Sequence, residues 1–143
     1  MISKFIFSIA IVASAFFTGC STSATEETAK PDVSLTNTYF KVVTLKGNEI
    51  EVFDKEPYIQ FEAEGKVKGH LGCNSFFGSF TTEDKNISFE NIGSTKMMCP
   101  NIKTEDAFTQ VLQHTKAYEI KGETLTFFNT KGEKISVFEA VYF

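Results

Sequence analysis

The chain has no arginine and no tryptophan, and only three prolines and three cysteines among 143 residues. Without arginine there is no planar fork to grip phosphate or carboxylate in a bidentate way, so all fourteen basic residues act as lysine point charges. Acidic residues outnumber them, 18 to 14, for a formal net charge of -4. Both facts speak against nucleic acid as a partner. The carboxylates are scattered over turns and outer strand faces, which gives no glycosidase pair. No cysteine or histidine sits in a pattern that supplies base, orienting group and oxyanion donors together. The sequence therefore reads as non-enzymatic, with no cofactor implied. What it does have is apolar bulk: 42% hydrophobic residues and sixteen phenylalanines, enough for one compact core and too little chain for two domains.

The N-terminus reads as an address. Lys4 precedes an apolar run over 5–17 broken only by Ser8 and Ser14, a length that fits a signal segment and falls short of a bilayer span. Phe17-Thr18-Gly19-Cys20 follows and resembles the bacterial lipobox, in which the cysteine after a small residue is acylated and becomes the mature N-terminus. The expectation is a signal peptide over 1–19, with Cys20 lipidated and holding the protein to a membrane of the bacterial cell envelope. Residues 20–34, rich in Ser, Thr, Glu and Ala, then form a flexible tether that leaves the folded domain, residues 35–143, outside the cytoplasm.

From Thr38 onward apolar residues recur mostly with period two, and turn-forming clusters recur about every ten residues, at 46–48, 64–66, 83–86, 121–123 and 129–132. Ile59, Phe61 and Ala63 alternate with Gln60 and Glu62. Residues 76–81 and 86–92 pair as a hairpin, and so do 125–128 and 134–143, with Leu125, Phe127, Ile135 and Val137 as the inward positions of the second. One segment has a helical period instead: Thr104 stands as N-cap, Glu105 and Asp106 complement the dipole, and Ala107, Phe108, Val111 and Leu112 share a face. The expected fold is mainly β, in the α+β sense. It is an antiparallel curved sheet or partial barrel of short strands with one amphipathic helix packed on it.

Two local clusters stand apart from this pattern. The first carries Gly69, Gly72, Cys73, Asn74, Phe76, Gly78 and Phe80, and the second Thr95, Met97 and Cys99; Glu105, Phe108 and Leu112 follow on the helix. Taken together they resemble the META domain family, typified by the heat-inducible HslJ lipoproteins of bacteria, with Phe40 standing where members often carry Trp. The resemblance covers about 105 residues. It implies an antiparallel β fold with one helix, a cell-envelope location and no established catalytic residue. Physically, the glycines allow positive φ or close backbone approach where a strand bends, and Asn74 suits such a bend. The stretch lacks the Lys-Ser/Thr ending and following helix of a phosphate cradle.

With Cys20 acylated, Cys73 and Cys99 remain as an even pair in an oxidising compartment, and a disulfide is the leading reading. Buried free thiols are a second. A third is a metal site, in which Cys73 and Cys99 join His70 and His114 around zinc, or join Met97 or Met98 around Cu(I), as in an envelope metal-handling protein. Against joint ligation, strand alternation directs His70 and Cys73 to opposite faces.

The loop over 93–103 carries Thr95, Lys96, Met97, Met98, Cys99, Pro100 and Asn101. A disulfide to Cys73 would brace it, and a braced extended loop is how many peptidase inhibitors enter an active-site cleft. The competing reading is that the two methionines fill the mouth of the barrel. The sequence thus reads as a lipid-anchored envelope module for binding or stress tolerance rather than catalysis, with an envelope component or a peptidase as its partner.

Overall fold

The computed structural model describes residues 30–53 and 55–143. The expected signal segment, Cys20 and most of the expected tether lie outside the described residues. Among the described residues nine strands and one α-helix follow in chain order: β1 Tyr39–Leu45, β2 Asn48–Glu49, β3 Tyr58–Phe61, β4 Lys66–His70, β5 Ser75–Glu83, β6 Asn86–Ser94, α1 Lys103–His114, β7 Ala117–Lys121, β8 Thr124–Phe128 and β9 Lys134–Val141. Every neighbouring pair is antiparallel, and β1 pairs with β9 from Tyr39↔Val141 to Leu45↔Ser136. That last pairing closes the sheet into an eight-stranded barrel, with β2 as a short flap on β1. The expected partial barrel or curved sheet is therefore a closed ring, because the last strand returns to the first.

Antiparallel closure sorts the connections onto two poles. The lower pole holds the chain entry into β1, the turns after β3, β5 and β7, and the C-terminus. Here Val33 N–H donates to the Gly122 carbonyl (2.9 Å), Gly122 N–H donates to Asp32 (2.7 Å), and Lys30 pairs with Glu123 (3.3 Å). Residues 32–34 thus belong to the folded body rather than to the tether, and Val33 packs on the core. The upper pole holds the turn at 71–74, the segment 95–102 and α1.

The core is phenylalanine: Phe40, Phe61, Phe76, Phe108, Phe127 and Phe138 are fully buried. Rings meet edge-on or tilted, Phe61 with Phe80 at 4.9 Å and Phe127 with Phe138 at 4.8 Å between centroids. Each buried ring contributes roughly 1.5–3 kcal/mol, and each good edge contact about 0.5–1.5 more. α1 caps the upper end by lowering Phe108 onto Phe76 (5.6 Å) and Phe138 (5.7 Å), with Val111 and Leu112 buried beside it.

Three local expectations change. Thr104 is not the N-cap. Ile102 occupies that position without a side-chain bond, while Thr104, inside the first turn, donates its hydroxyl to the Glu51 carbonyl (3.2 Å). Ala63 is exposed, since a one-turn 3-10 helix at Ala63–Gly65 interrupts the alternation after Phe61. In β9 the inward positions are Ser136, Phe138 and Ala140, not Ile135 and Val137. The pairing Leu125↔Phe138 and Phe127↔Ser136 sets that register, and a one-residue difference turns every side chain over.

Candidate functional site

Three segments cross at the upper pole: the turn at 71–74, the segment 95–102 and the first turn of α1. β4 ends at His70, and Gly72 then takes φ +112°, a conformation open to glycine and costly for other residues. The turn is closed by Leu71 N–H on the Asn74 carbonyl (2.7 Å) and by Gly72 N–H on His70 Nδ1 (3.1 Å). Because the strand has ended, alternation no longer applies: His70, Cys73 and Asn74 are all buried. The expected opposition of His70 and Cys73 is corrected on this ground.

Asn74 is the hub. Its Oδ1 accepts from Met97 N–H (2.6 Å) and from the Thr95 hydroxyl (2.9 Å). Its Nδ2 donates to the Glu105 carboxylate (3.0 and 3.1 Å) and to the Met97 carbonyl (3.3 Å), and its main-chain N–H donates to Glu105 Oε2 (2.8 Å). A buried amide thus uses both its donor and its acceptor capacity across three chain segments. Bonds to an ionised group contribute roughly 1.5–3 kcal/mol, and Glu105 also sits where the helix dipole favours a negative charge. A disulfide joins Cys73 to Cys99 with Cα atoms 6.1 Å apart. Asn101 Oδ1 accepts from Lys103 N–H (3.0 Å) and fixes the step into the helix.

The expected binding loop therefore divides by role. Thr95, Cys99 and Asn101 spend their polar or sulfur atoms holding the backbone. Lys96, Met97, Met98 and Pro100 face solvent, with Met97 55% and Met98 100% exposed. The methionines do not fill the barrel mouth, since Phe76 and Phe108 already occupy it. Lys96 and Lys103 are the charged residues of 93–103, which contains no acid in a chain of net charge -4.

The metal alternative does not assemble. Cys73 and Cys99 are bonded to each other, His70 lies inside the turn, and exposed His114 engages the Gln110 carbonyl through Nδ1 (2.7 Å) at the end of α1. Among the described residues no group of three or more His, Cys, Asp or Glu is gathered. Sequence reasoning assigned Glu105 to the helix dipole and missed its bond to Asn74. The only signal was an acid in the first turn, just after the cysteine. It also missed exposed Phe77 and Ile102.

A model of the META domain matches residues 33–142. The chain belongs to the META domain family. Two structures solved by NMR share the fold. One, of a protein from Burkholderia xenovorans, has a TM-score of 0.63 at 17% identity, over 99% of this chain and 100% of that one. The other has a TM-score of 0.60 at 18% identity, over 75% of this chain and 94% of that one. No curated protein matches the chain. The META motif residues can now be placed: Gly72, Cys73 and Asn74 build the turn, Phe76 anchors the helix, and Gly69 and Gly78 sit where neighbours crowd the backbone. A Cβ at Gly69 would overlap the Tyr58 carbonyl and the Phe76 ring, and one at Gly78 would press on Ile92 and the Glu90 carbonyl.

Proposed function

We propose that this META protein is a lipid-anchored module of the bacterial cell envelope that binds a protein partner through residues 95–102 and catalyses nothing. The observation that carries the reading is the division of the loop. Its interior atoms engage Asn74 and Cys73, while an apolar, cationic tip stands in water. A segment fixed before contact loses little conformational entropy on binding. Exposed methionines suit a protein surface that must adapt to its partner. The chain enters at the lower pole and the loop stands at the upper one, so an anchor on Cys20 would leave the loop directed away from the lipid.

Two measurements test the two halves. Metabolic labelling with palmitate should mark the wild type and not Cys20→Ser, which should leave the membrane fraction; an unlabelled wild type overturns the anchor. A photo-crosslinking residue at Met98 should trap an envelope protein that the same residue at Asp84, on the lower pole, does not trap. Equal yields from both positions overturn the loop. The extended, disulfide-braced shape of this loop also favours peptidase inhibition as the specific form of binding. An inhibitor would lose potency on Met98→Asp with its fold intact, and unchanged potency after loop replacement would exclude this form.

A further inference from the structure

The ring of strands is thinnest between β6 and β7, where a single ladder pair, Asn86↔Ala117, joins them. The flanking bonds are Ile87 N–H to the Lys116 carbonyl (3.0 Å) and Tyr118 N–H to the Lys85 carbonyl (2.9 Å). Beyond that point no described strand pairs with the outer edge of β6. The direction of its main-chain groups follows from the ladder. Ile87 turns its N–H away from β5, so Phe89, two residues on, does the same. After the bulge at 91–92, where Asn91 takes φ +53°, Thr95 N–H returns to the Ser75 carbonyl (3.0 Å). Ser94 is thereby left facing outward. The free edge over 88–94 is about 23 Å long at 3.3 Å per residue.

A groove of about 320 Å³ runs between this edge and α1. Its apolar floor is Leu71, Phe89, Ile92 and Leu112, and Lys96 and Lys116 stand at its two ends. No acidic side chain lines it, although acids outnumber lysines in the chain as a whole. Lys96 Nζ donates to Ser94 Oγ (3.3 Å), which holds its charge over the upper end of the strand.

We infer that this groove is a second binding site, one that takes an extended segment of a partner protein as an added strand beside β6. Main-chain bonds at Phe89 and Ser94 provide the grip, and the floor receives apolar side chains at alternate positions of the guest. The two lysines select a guest that carries carboxylates, and they repel a basic one. The inference rests on the reading of the protein as a binding module, and of the loop at 95–102 it uses Lys96 alone, not the methionine tip.

The test is amide hydrogen exchange by NMR on the full secreted chain carrying Cys20→Ser. The probe is a pool of acetylated nonapeptides with Val or Ile at alternate positions and Asp or Glu between them. Without peptide, Phe89 and Ser94 amides should exchange far faster than paired β6 amides. At about 1 mM pool their exchange should slow roughly tenfold, whereas a matched pool with Lys in place of the acids should slow it less than about twofold. Ser94→Pro, which removes one outward donor, and Lys116→Glu should each weaken the protection by about five- to tenfold. Met98→Asp should leave it unchanged, which separates failure of this site from failure of the loop. The inference is overturned if the two amides are already as protected as their neighbours, if the pool does not slow them, or if both pools act alike.

Discussion

Asn74 and Glu105 are joined twice, through the side-chain amide at 3.0 Å and through the main-chain N–H at 2.8 Å, so one carboxylate ties the helix to the turn that carries Cys73. Asn74→Ala leaves Met97 N–H without its acceptor and Glu105 short of a donor, and should cost about 3 kcal/mol in urea unfolding. Asn74→Asp keeps an acceptor for Met97 but sets a second carboxylate against Glu105. Combining it with Glu105→Gln, which restores a donor between them, should recover most of the loss. An Asp variant that Glu105→Gln does not rescue would show that charge is not the cause.

The disulfide closes 26 residues of sequence separation, for which the chain-entropy argument gives about 3.5 kcal/mol. The double variant Cys73→Ser, Cys99→Ser should lose about that much in urea. It should still fold, because the Asn74 bonds to Met97 and Glu105 do not involve sulfur. If the reduced wild type and the double variant unfold at the oxidised midpoint, the bond contributes nothing to stability.

Ser136 sits in the core between β1 and β8, and its hydroxyl finds no hydrogen-bond partner among the described residues. Ser136→Ala removes a desolvated group without leaving a large void, so stability should hold or rise by up to about 1 kcal/mol. A loss greater than about 1 kcal/mol would reveal a partner such as a buried water.

That serine also explains where sequence reasoning failed. Alternation in β9 offers two faces, Ile135 and Val137 or Ser136, Phe138 and Ala140, and the first is more apolar at its start. The irregularity in the hairpin with β8 at Phe127/Phe128 and the pairing with β1 select the second, and the β1 partners lie 91 to 102 residues away and leave no local mark. Closure was hidden for the same reason: each strand reports its own period, not its neighbour. The turns, the helix and its buried face were legible because their signals lie within a few residues. At the site, the cysteine pair and the motif glycines could be read as shape devices. The bond from Asn74 to Glu105 joins residues 31 apart and could not.

Gly69 and Gly132 separate two uses of glycine. At Gly69 a methyl group would strike the Tyr58 carbonyl and the Phe76 ring, so Gly69→Ala must move a strand and should cost about 3 kcal/mol. Gly132 has open space but φ +75°, so Gly132→Ala should cost only about 1 kcal/mol through backbone strain. Equal losses in urea would mean that β4 yields to the methyl group.

Tyr39 stacks on Tyr58 with 4.2 Å between centroids, and Phe143 meets it edge-on at 5.3 Å. Burial first, then the charges of Glu56 and Tyr58, push the Tyr39 hydroxyl up from its ordinary 10.0 to about 12. The folded protein therefore holds this proton longer than the unfolded chain does. The contribution to stability is fully present below pH 10 and is lost as pH rises through about 12. Tyr39→Phe has no proton to lose, so its stability should fall less than that of the wild type between about pH 9 and pH 11.5. Urea midpoints at the two values give the comparison, and phenolate absorbance read alongside assigns the wild-type change to a late-titrating tyrosine. Parallel pH curves for the two proteins would mean that the ring of Tyr39 ionises as freely in the fold as outside it.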